Sequence, residues 1–146
     1  MSYFDAAELE AIKILKARYF RLLDTRQWDA WGDVFTEDVV LEPAAQMVFR
    51  GRAEVVKNVS TLLNGLQTVH HGHMPEIDFI DQNNARGIWA MFDWVEGHGR
   101  SMTGYGHYHE EYRRDADEKW RIKKLTLTRL RMDVATKQEE IPSDIP

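Results

Sequence analysis

The sequence predicts an α+β fold in which a cone-shaped, curved and mostly antiparallel sheet wraps around three N-terminal helices. Two observations predict it. Three segments within residues 1–65 have apolar residues at helical spacing, and beyond residue 65 the period changes to two. The strand-like runs that follow are separated by hairpin-length turns, which favour antiparallel neighbours. Helices that precede such a sheet pack against one of its faces, and the open end of the cone is a natural pocket.

Three helical segments are expected. The first spans residues 6–23, and one face of it carries Leu9, Ile12, Leu15, Tyr19, Leu22 and Leu23. The second is short and lies in "DTRQWDAWGDVF", where Asp24 or Thr25 is predicted to cap it. One or two short strands interrupted by Pro43 then lead to "RAEVVKNVSTLLNGL", a third helix that Gly65 ends.

Four long strands are predicted over 68–80, 85–95, 101–113 and 120–132, with turns at "DQNN", "EGHGR" and "DADE". The second of these strands is apolar on both faces, which indicates a core on one side and a second subunit on the other. We therefore expect a homo-oligomer, either a dimer or a trimer. We expect a single domain over residues 1–133 and a C-terminal tail over 134–146, where periodicity is lost.

Composition limits the classes of function. The net charge of −5 gives no basic field, so we expect neither a nucleic-acid partner nor an anionic membrane surface. The absence of cysteine excludes disulfides, thiolate nucleophiles and cysteine-bound metals. The N-terminal segment lacks the basic and apolar blocks of a signal peptide, and no apolar run is long enough to span a membrane. A cytoplasmic protein is expected.

The segment "TVHHGHMPEIDF" places three histidines at the start of a strand. In a regular strand His70 and His71 point to opposite faces, so the three side chains could not meet at one metal ion without a bulge. The motif H-E-x-x-H is absent, and we expect no metal and no other cofactor. Two interpretations remain: a general base oriented by a carboxylate, or partly exposed strand residues.

Several segments resemble the SnoaL-like branch of the nuclear transport factor 2-like superfamily: "LKARYFRLLDTRQWDAWGDVFTEDVVLE", "FRGRAEVVKNV", "TVHHGHMPEIDF", "ARGIWAMF" and "YHEEYRRDADEKWRIKKLTLTR". Within it, the chain most resembles the group of bile acid 7α-dehydratase, scytalone dehydratase and hexachlorocyclohexane dehydrochlorinase. The resemblance covers residues 7–133 and implies the cystatin-like α+β barrel of that superfamily. The scaffold hosts isomerases, lyases, cyclases, hydrolases and non-enzymatic binders, so it implies the fold more strongly than the function.

The resemblance also implies a site. Members of this group pair an aspartate near the end of the first helix with a histidine of the strand after the third helix. Here these residues are Asp24 and His70, and "YFRLLD" adds Tyr19. A carboxylate in the last turn of a helix opposes the macrodipole, which is a local rule that functional sites often break. The alternatives are that Asp24 caps the second helix and that Tyr19 is a core residue.

The alternation of side chains along the strand disagrees with an inward position for His70. Ile77 and Phe79 are expected to face inward, and strict alternation then turns His71 inward and His70 outward. A bulge at Gly72 or Pro75 would reverse the parity. The resemblance favours His70, and His71 is the alternative.

Six further residues are candidates for binding a substrate. Asp93 interrupts an apolar strand, and a buried acid there would need a partner. Arg129 and Arg131 share a face of the last strand, and relatives often place a basic residue facing the cavity there; surface exposure is the alternative. His107 could add a donor, while Trp28 and Trp89 are expected in the core or the pocket wall.

The function expected from these residues is that of a cofactor-independent lyase, a dehydratase acting on a hydrophobic small molecule, polycyclic compounds included. His70 would remove a proton from carbon, and Asp24 would hold its ring and stabilise the imidazolium. Two alternatives remain open. One is an isomerase or polyketide cyclase of the same fold, and the other is a non-catalytic protein that binds a small molecule or serves as an accessory subunit.

Overall fold

A computed structural model describes residues 3–136. It contains three helices and six strands, in this order: α1 (Tyr3–Asp24), α2 (Trp28–Gly32), β1 (Phe35–Ala44), β2 (Met47–Arg50), α3 (Arg52–Leu62), β3 (Gln67–Phe79), β4 (Asn84–Gly97), β5 (Arg100–Arg114) and β6 (Trp120–Thr136). All six strands belong to one curled sheet of order β2-β1-β6-β5-β4-β3, which does not close.

The sheet is mixed. Strand β1 pairs with β6 in parallel, and the other four pairings are antiparallel. The parallel pairing is possible because a long connection, from β2 to the β5–β6 turn, separates β1 from β6 in sequence. The predicted fold class is confirmed: three helices and a curved, mostly antiparallel sheet.

The main core lies between α1 and the concave face of the sheet. The predicted apolar face of α1 is buried, with Ile12, Tyr19 and Leu22 each at most 5% exposed. Opposite it, alternate residues of β4 and β5 are buried, including Trp89, Met91, Tyr108 and Tyr112. The buried face of α1 therefore packs against every second side chain of β4 and β5, and together they form one core.

Several boundaries differ from the prediction. Helix α2 ends at Gly32, and Phe35 begins β1, because the main chain at Val34 already bonds to Ile122 of β6. Strand β1 continues through Pro43, with an irregularity in its pairing to β2 between Leu41 and Ala44. Strand β6 extends to Thr136, past the predicted domain boundary, and the rest of the predicted tail lies outside the described residues.

A β-bulge interrupts β3. His73 pairs with Ala90 and Glu76 pairs with Ile88, so three steps along β3 match two steps along β4. Met74 lies in the bulge with a φ of 37°, in the left-handed region. The extra residue reverses which side chains face the concave side before and after it.

No helix within residues 3–136 is long and apolar enough to cross a membrane.

Candidate functional site

The C-terminal end of α1 positions Asp24. Arg26, with a φ of 62°, follows the helix in the left-handed conformation, and the N–H groups of Arg26 and Gln27 bond to the carbonyls of Leu23 and Leu22. This is the hydrogen-bond pattern of a Schellman motif, which satisfies the last carbonyls of a helix without a side chain. Helix α2 begins after Gln27 with no side-chain cap. The predicted capping of α2 by Asp24 or Thr25 is therefore wrong.

Arg26 also fixes the position of β3. Its guanidinium donates to the carbonyl of Leu63 at 2.9 Å and to that of Leu66, both in the connection from α3 to β3. These bonds hold the first residues of β3 beside the last turn of α1. Asp24 and the start of β3 are neighbours for this reason.

Asp24 receives three contacts from β3. Its Oδ2 accepts the backbone N–H of His70 at 2.9 Å, and its Oδ1 accepts the Thr68 hydroxyl at 3.0 Å. Oδ1 also lies 2.7 Å from Nδ1 of the His70 ring. A carboxylate can only accept, so the neutral tautomer that fits this contact has its proton on Nδ1 and its lone pair on Nε2. Nε2 makes no hydrogen bond to a described residue, so a ligand can meet a base there.

The bulge in β3 determines which histidine meets Asp24. Thr68, His70 and Gly72 precede it on the concave side, and Ile77 and Phe79 follow it on the same side. Gly72 packs so closely on Phe20 of α1 that an added Cβ would lie 2.7 Å from the ring. His71 and His73 face outward, and His71 packs on Phe92. The bulge that brings His70 to the concave side therefore lies at Met74–Pro75 and not at Gly72.

A second charged pair lies beside the first. Asp93 of β4 is directly opposite His70 in the β3–β4 register. Its carboxylate accepts two hydrogen bonds from Arg129 of β6, at 2.9 and 2.7 Å. The two side chains meet over Gly104 of β5, where a Cβ would lie 1.9 Å from Arg129 Nη1 and 2.1 Å from Asp93 Oδ1. Gly104 thus leaves the space in which the pair forms, and the pair raises the pKa of Arg129.

Arg131 and His107 do not reach this site. Leu130 forms a second bulge, between the pairs Gly106–Arg129 and Tyr105–Arg131, so the two arginines lie on opposite faces. The Arg131 side chain is 71% exposed and pairs with Asp133. His107 is on the outer face near His109. The prediction that Arg131 shares a face with Arg129 is wrong, and so is the placement of His107 in the pocket.

The two tryptophans chosen from the sequence belong to the core and its edge. Trp89 is buried and donates its indole N–H to Tyr112 at 2.8 Å, away from the Asp24–His70 pair. Trp28 packs edge-on against Trp31 and beneath the Arg26 guanidinium. Trp31, which is fully buried, is the tryptophan that lines the cavity.

The cavity has a volume of 270 Å³ and lies on the concave side of the sheet. His70, Asp93 and Arg129 line it together with Tyr19, Trp31 and Tyr108. Most of the remaining wall is apolar and includes Leu23, Leu41, Val59, Leu63, Val95 and Leu125. Tyr19 is 5% exposed, and burial, followed by the nearby carboxylates, raises its pKa far above that of a free tyrosine. It therefore remains a protonated donor.

Three larger depressions, of 470, 710 and 510 Å³, lie elsewhere, and the last of them is beside Arg26 and Trp28. The first is on the outer face of the sheet near Arg86 and His109, and the second is beside α1 near Arg18 and Trp120. All three have a more polar lining than the 270 Å³ cavity, and none of them includes His70. The candidate site is the smaller cavity because only there does a base face apolar walls.

A buried network of charged side chains lies next to the cavity, and it was not predicted from the sequence. Lys16 of α1 pairs with Glu110 of β5, and both side chains are 0% exposed. The second Glu110 oxygen accepts the hydroxyl of Tyr112. The Lys16 ammonium lies 3.8 Å from the ring centroids of both Tyr19 and Tyr108. Burial lowers the Lys16 pKa to about 8, although Glu110 opposes the shift.

A sequence signal for this network exists. Lys16 lies four residues after Ile12 and three before Tyr19, on the apolar face of α1, and Glu110 alternates with Tyr108 and Tyr112. Each charged residue stands at a position where the pattern places an apolar one, and a buried charge requires a partner. No group of three or more histidine or carboxylate side chains that could hold a metal is found within residues 3–136.

The fold and this cavity define a class of protein: α+β proteins in which a curled sheet encloses a cavity of small-molecule size. The structure superposes on a scytalone dehydratase-like protein from Novosphingobium aromaticivorans with a TM-score of 0.84, 20% identity and 91% of each chain covered. It superposes on a type 2 hexachlorocyclohexane dehydrochlorinase (LinA) with a TM-score of 0.83, 19% identity and 97% of each chain covered. At these identities the similarity shows the fold alone.

The sequence itself identifies the family. Residues 5–126 match the SnoaL-like domain, and the chain belongs to this family of the nuclear transport factor 2-like superfamily. A curated relative, the probable cyclase FGR4 of Gibberella zeae, is 26% identical, and the match covers 79% of this chain and 86% of the relative. The predicted resemblance is confirmed.

Proposed function

We propose that the protein is a cofactor-independent lyase that removes a proton and a leaving group, in the manner of a dehydratase, from an apolar ring compound. The observation that carries the proposal is that His70 lines an apolar cavity while its Nδ1 lies 2.7 Å from Oδ1 of Asp24. A protein that only binds ligands has no need for a carboxylate that fixes the tautomer of a histidine.

The first step of the proposed reaction is proton transfer from carbon to Nε2 of His70. The electron pair of the C–H bond becomes the new double bond, or an enolate where a carbonyl is adjacent. Asp24 stabilises the imidazolium that forms, and it does so without taking the proton. Because the His70 and Asp24 side chains are only 11% and 21% exposed, their interaction is weakly screened by water.

The second step is departure of the leaving group, a hydroxide in a dehydratase. The hydroxide takes a proton as it leaves, so that water is the product. Tyr19 lines the same cavity and is the proposed donor to a carbonyl or to the departing oxygen. A proton that Tyr19 gives to the departing oxygen is replaced by the one that His70 took from carbon, which returns both groups to their starting state. Arg129 and Asp93 balance each other's charge, and the pair forms a polar part of the same cavity wall.

The relatives support this class of reaction. One is named a cyclase, one a dehydrochlorinase and one a scytalone dehydratase-like protein. Dehydration and dehydrochlorination are both eliminations that begin or end with loss of a proton from carbon. The fold supports many chemistries, so the Asp24–His70 geometry carries more weight than the names.

The proposal is tested with a panel of hydroxylated ring ketones in deuterated water, followed by mass spectrometry. An elimination lowers the substrate mass by one water, whereas an isomerase leaves the mass unchanged apart from exchanged deuterium. His70→Ala and Asp24→Asn are expected to lower the rate by about 10²–10⁴-fold, the contribution of general base catalysis.

His71→Ala is the matched control, because His71 is adjacent in sequence and faces the other side of the sheet. It should keep full turnover. Deuterium exchange without loss of water would favour the isomerase or cyclase. Unchanged turnover in His70→Ala would end the proposal, and binding of the panel without exchange or elimination would favour a non-catalytic binder.

A further inference from the structure

Arg26 lies where the C-terminal ends of α1 and α3 approach each other. Its guanidinium donates to the carbonyl of Leu63 at 2.9 Å and to that of Leu66. The N–H of Leu66 also bonds to the Leu63 carbonyl, at 3.1 Å, so these two residues are the ends of one turn between α3 and β3. Arg26 therefore binds both ends of this turn, which we call the α3–β3 turn (residues 63–66).

The charge of Arg26 is not used in a salt bridge. Within residues 3–136 its guanidinium contacts the two carbonyls of the turn and the ring of Trp28, whose centroid is 5.8 Å away, and no carboxylate pairs with it. Leu63 is the C-cap of α3, and the last turn of α3 has no basic residue of its own. The dipole of a helix favours a cation at its C-terminal end. Arg26 thus supplies from α1 the positive charge that α3 lacks.

The α3–β3 turn borders the cavity. Leu62 and Leu63 both line the cavity, and Leu62 is also 51% exposed, so the end of α3 separates the cavity from solvent. On its other side the turn packs on the connection between β4 and β5, where a Cβ at Gly97 would lie 2.6 Å from Leu66. Packing therefore supports the turn from the β4–β5 side, and Arg26 binds it from the α1 side.

The same turn leads directly into the strand that carries the candidate base. Strand β3 begins at the residue after Leu66, and its Thr68 and His70 contact the Asp24 carboxylate. Asp24 is two residues before Arg26 in the sequence, so the carboxylate and the guanidinium belong to the same end of α1. A shift of the α3–β3 turn relative to α1 would therefore both alter the cavity wall and move His70 relative to Asp24.

We propose that Arg26 is a positioning residue that couples the closed wall of the cavity to the orientation of the His70 ring. Arg26 is not part of the cavity lining, and it acts on His70 through the α3–β3 turn. The inference rests on the proposed function, because His70 is the base of that function.

The variant Arg26→Gly tests the coupling. Arg26 has a φ of 62°, which glycine adopts without strain, so the variant keeps the turn that ends α1 and removes the guanidinium. Nitrogen-15 NMR at alkaline pH should show the wild-type His70 ring with its proton on Nδ1, and His70→Ala identifies its signals. In Arg26→Gly we expect a mixture of both tautomers and faster amide exchange over residues 63–70. With a substrate from the panel, kcat should fall by about 10- to 100-fold, since a misplacement of about 1 Å can cost that much.

Rescue and a matched control separate positioning from a general loss of structure. Methylguanidinium added to Arg26→Gly should restore the wild-type tautomer, whereas tetramethylammonium, a cation without N–H donors, should not. Arg26→Lys keeps the charge but lacks the planar fork that binds two carbonyls, so its His70 ring should be intermediate. Gln46→Gly makes the same backbone change at a φ of 64°, in the turn between β1 and β2 at the opposite edge of the sheet from β3, and should leave His70 unchanged.

A wild-type His70 tautomer in Arg26→Gly would overturn the inference, even if amide exchange in the turn were faster, because the turn and the histidine would then be independent. An altered ring that neither methylguanidinium nor lysine improves would overturn the role of the guanidinium. Arg26→Lys decides the case in which Arg26→Gly does not fold, since a wild-type ring there would show that the fork is not needed. The NMR measurement requires no substrate, so the proposed function fails separately, when His70→Ala retains turnover.

Discussion

Of the pairs of ionisable side chains on the concave side of the sheet, Lys16–Glu110 and Asp24–His70 differ in how completely the protein satisfies their hydrogen bonds. Lys16 and Glu110 are both 0% exposed, and their contacts are with other buried side chains. Asp24 and His70 are partly exposed, and one ring nitrogen of His70 has no hydrogen-bond partner among residues 3–136. The first cluster is saturated, whereas the second leaves a basic nitrogen for a ligand.

The difference separates a structural network from a reactive site. A buried polar group is tolerated in a core when every one of its bonds is made. A catalytic group needs a free atom and a fixed orientation, and Asp24 supplies the orientation through three contacts to β3. The rings of Tyr19 and Tyr108 touch Lys16 and also line the cavity, so they connect the two clusters.

The largest expected effect on stability comes from removing one charge of the Lys16–Glu110 pair. Glu110→Gln leaves the Lys16 charge buried without its counterion, and we expect unfolding free energy to fall by about 3–5 kcal/mol. The double variant Lys16→Met/Glu110→Gln should recover most of this loss, since no charge then remains. Urea unfolding of the three proteins tests both statements. Equal losses in the single and double variants would contradict the role of charge.

The Asp93–Arg129 pair should give a smaller effect. Arg129→Met removes two charged hydrogen bonds from Asp93, whose side chain is 4% exposed, and we expect a loss of about 2 kcal/mol. Gly104→Ala should have a similar effect, because its Cβ would occupy the space of the pair. Arg131→Met is the matched control on the outer face, and thermal unfolding should detect no change. A large effect there would contradict the placement of the two arginines.

Asp24→Asn should change stability less than activity. It keeps the shape of the side chain and weakens three hydrogen bonds at a partly exposed position, so we expect a loss of about 1 kcal/mol in stability. The rate of proton removal should fall far more, since the His70 ring loses the carboxylate that favours its charged form. Thr68→Val, which removes one neighbouring bond and keeps the carboxylate, should retain most of the rate. If Thr68→Val proved as inactive as Asp24→Asn, the carboxylate would not be the deciding group.

The last expected effect is a pH dependence. The Lys16 pKa is about 8 in the folded protein and 10.5 for an ordinary lysine. Between these values the folded state holds fewer protons at this site than the unfolded chain, so raising the pH favours folding. The stability of the wild type should therefore increase relative to Lys16→Met/Glu110→Gln as the pH rises from 8 towards 10.5. Urea titrations at matched pH values measure the difference, and a constant or falling difference would contradict the lowered pKa.

Much of the fold follows from the sequence because it depends on local periodicity. The apolar face of α1 and the four long strands were predicted within a few residues. The parallel pairing of β1 with β6 could not be derived, because it depends on contacts between residues that are far apart in sequence.

The site was predictable only in part. Asp24, His70 and Tyr19 came from a family resemblance, and periodicity alone favoured His71 for the inward position. The reason is physical. Each bulge adds one residue, so every later side chain faces the opposite side of the sheet from the one that regular alternation predicts. A bulge has only a weak sequence signal. The same effect at Leu130 separates Arg129 from Arg131.

The bulge at Met74–Pro75 has an evolutionary consequence. Removing one codon there would restore regular alternation and exchange the two histidine environments in a single event, which no single substitution can do. Insertions and deletions in this strand are therefore a route by which a scaffold of this kind could gain, lose or relocate its base. A library that varies the length of β3, with its composition held constant, would explore that route directly.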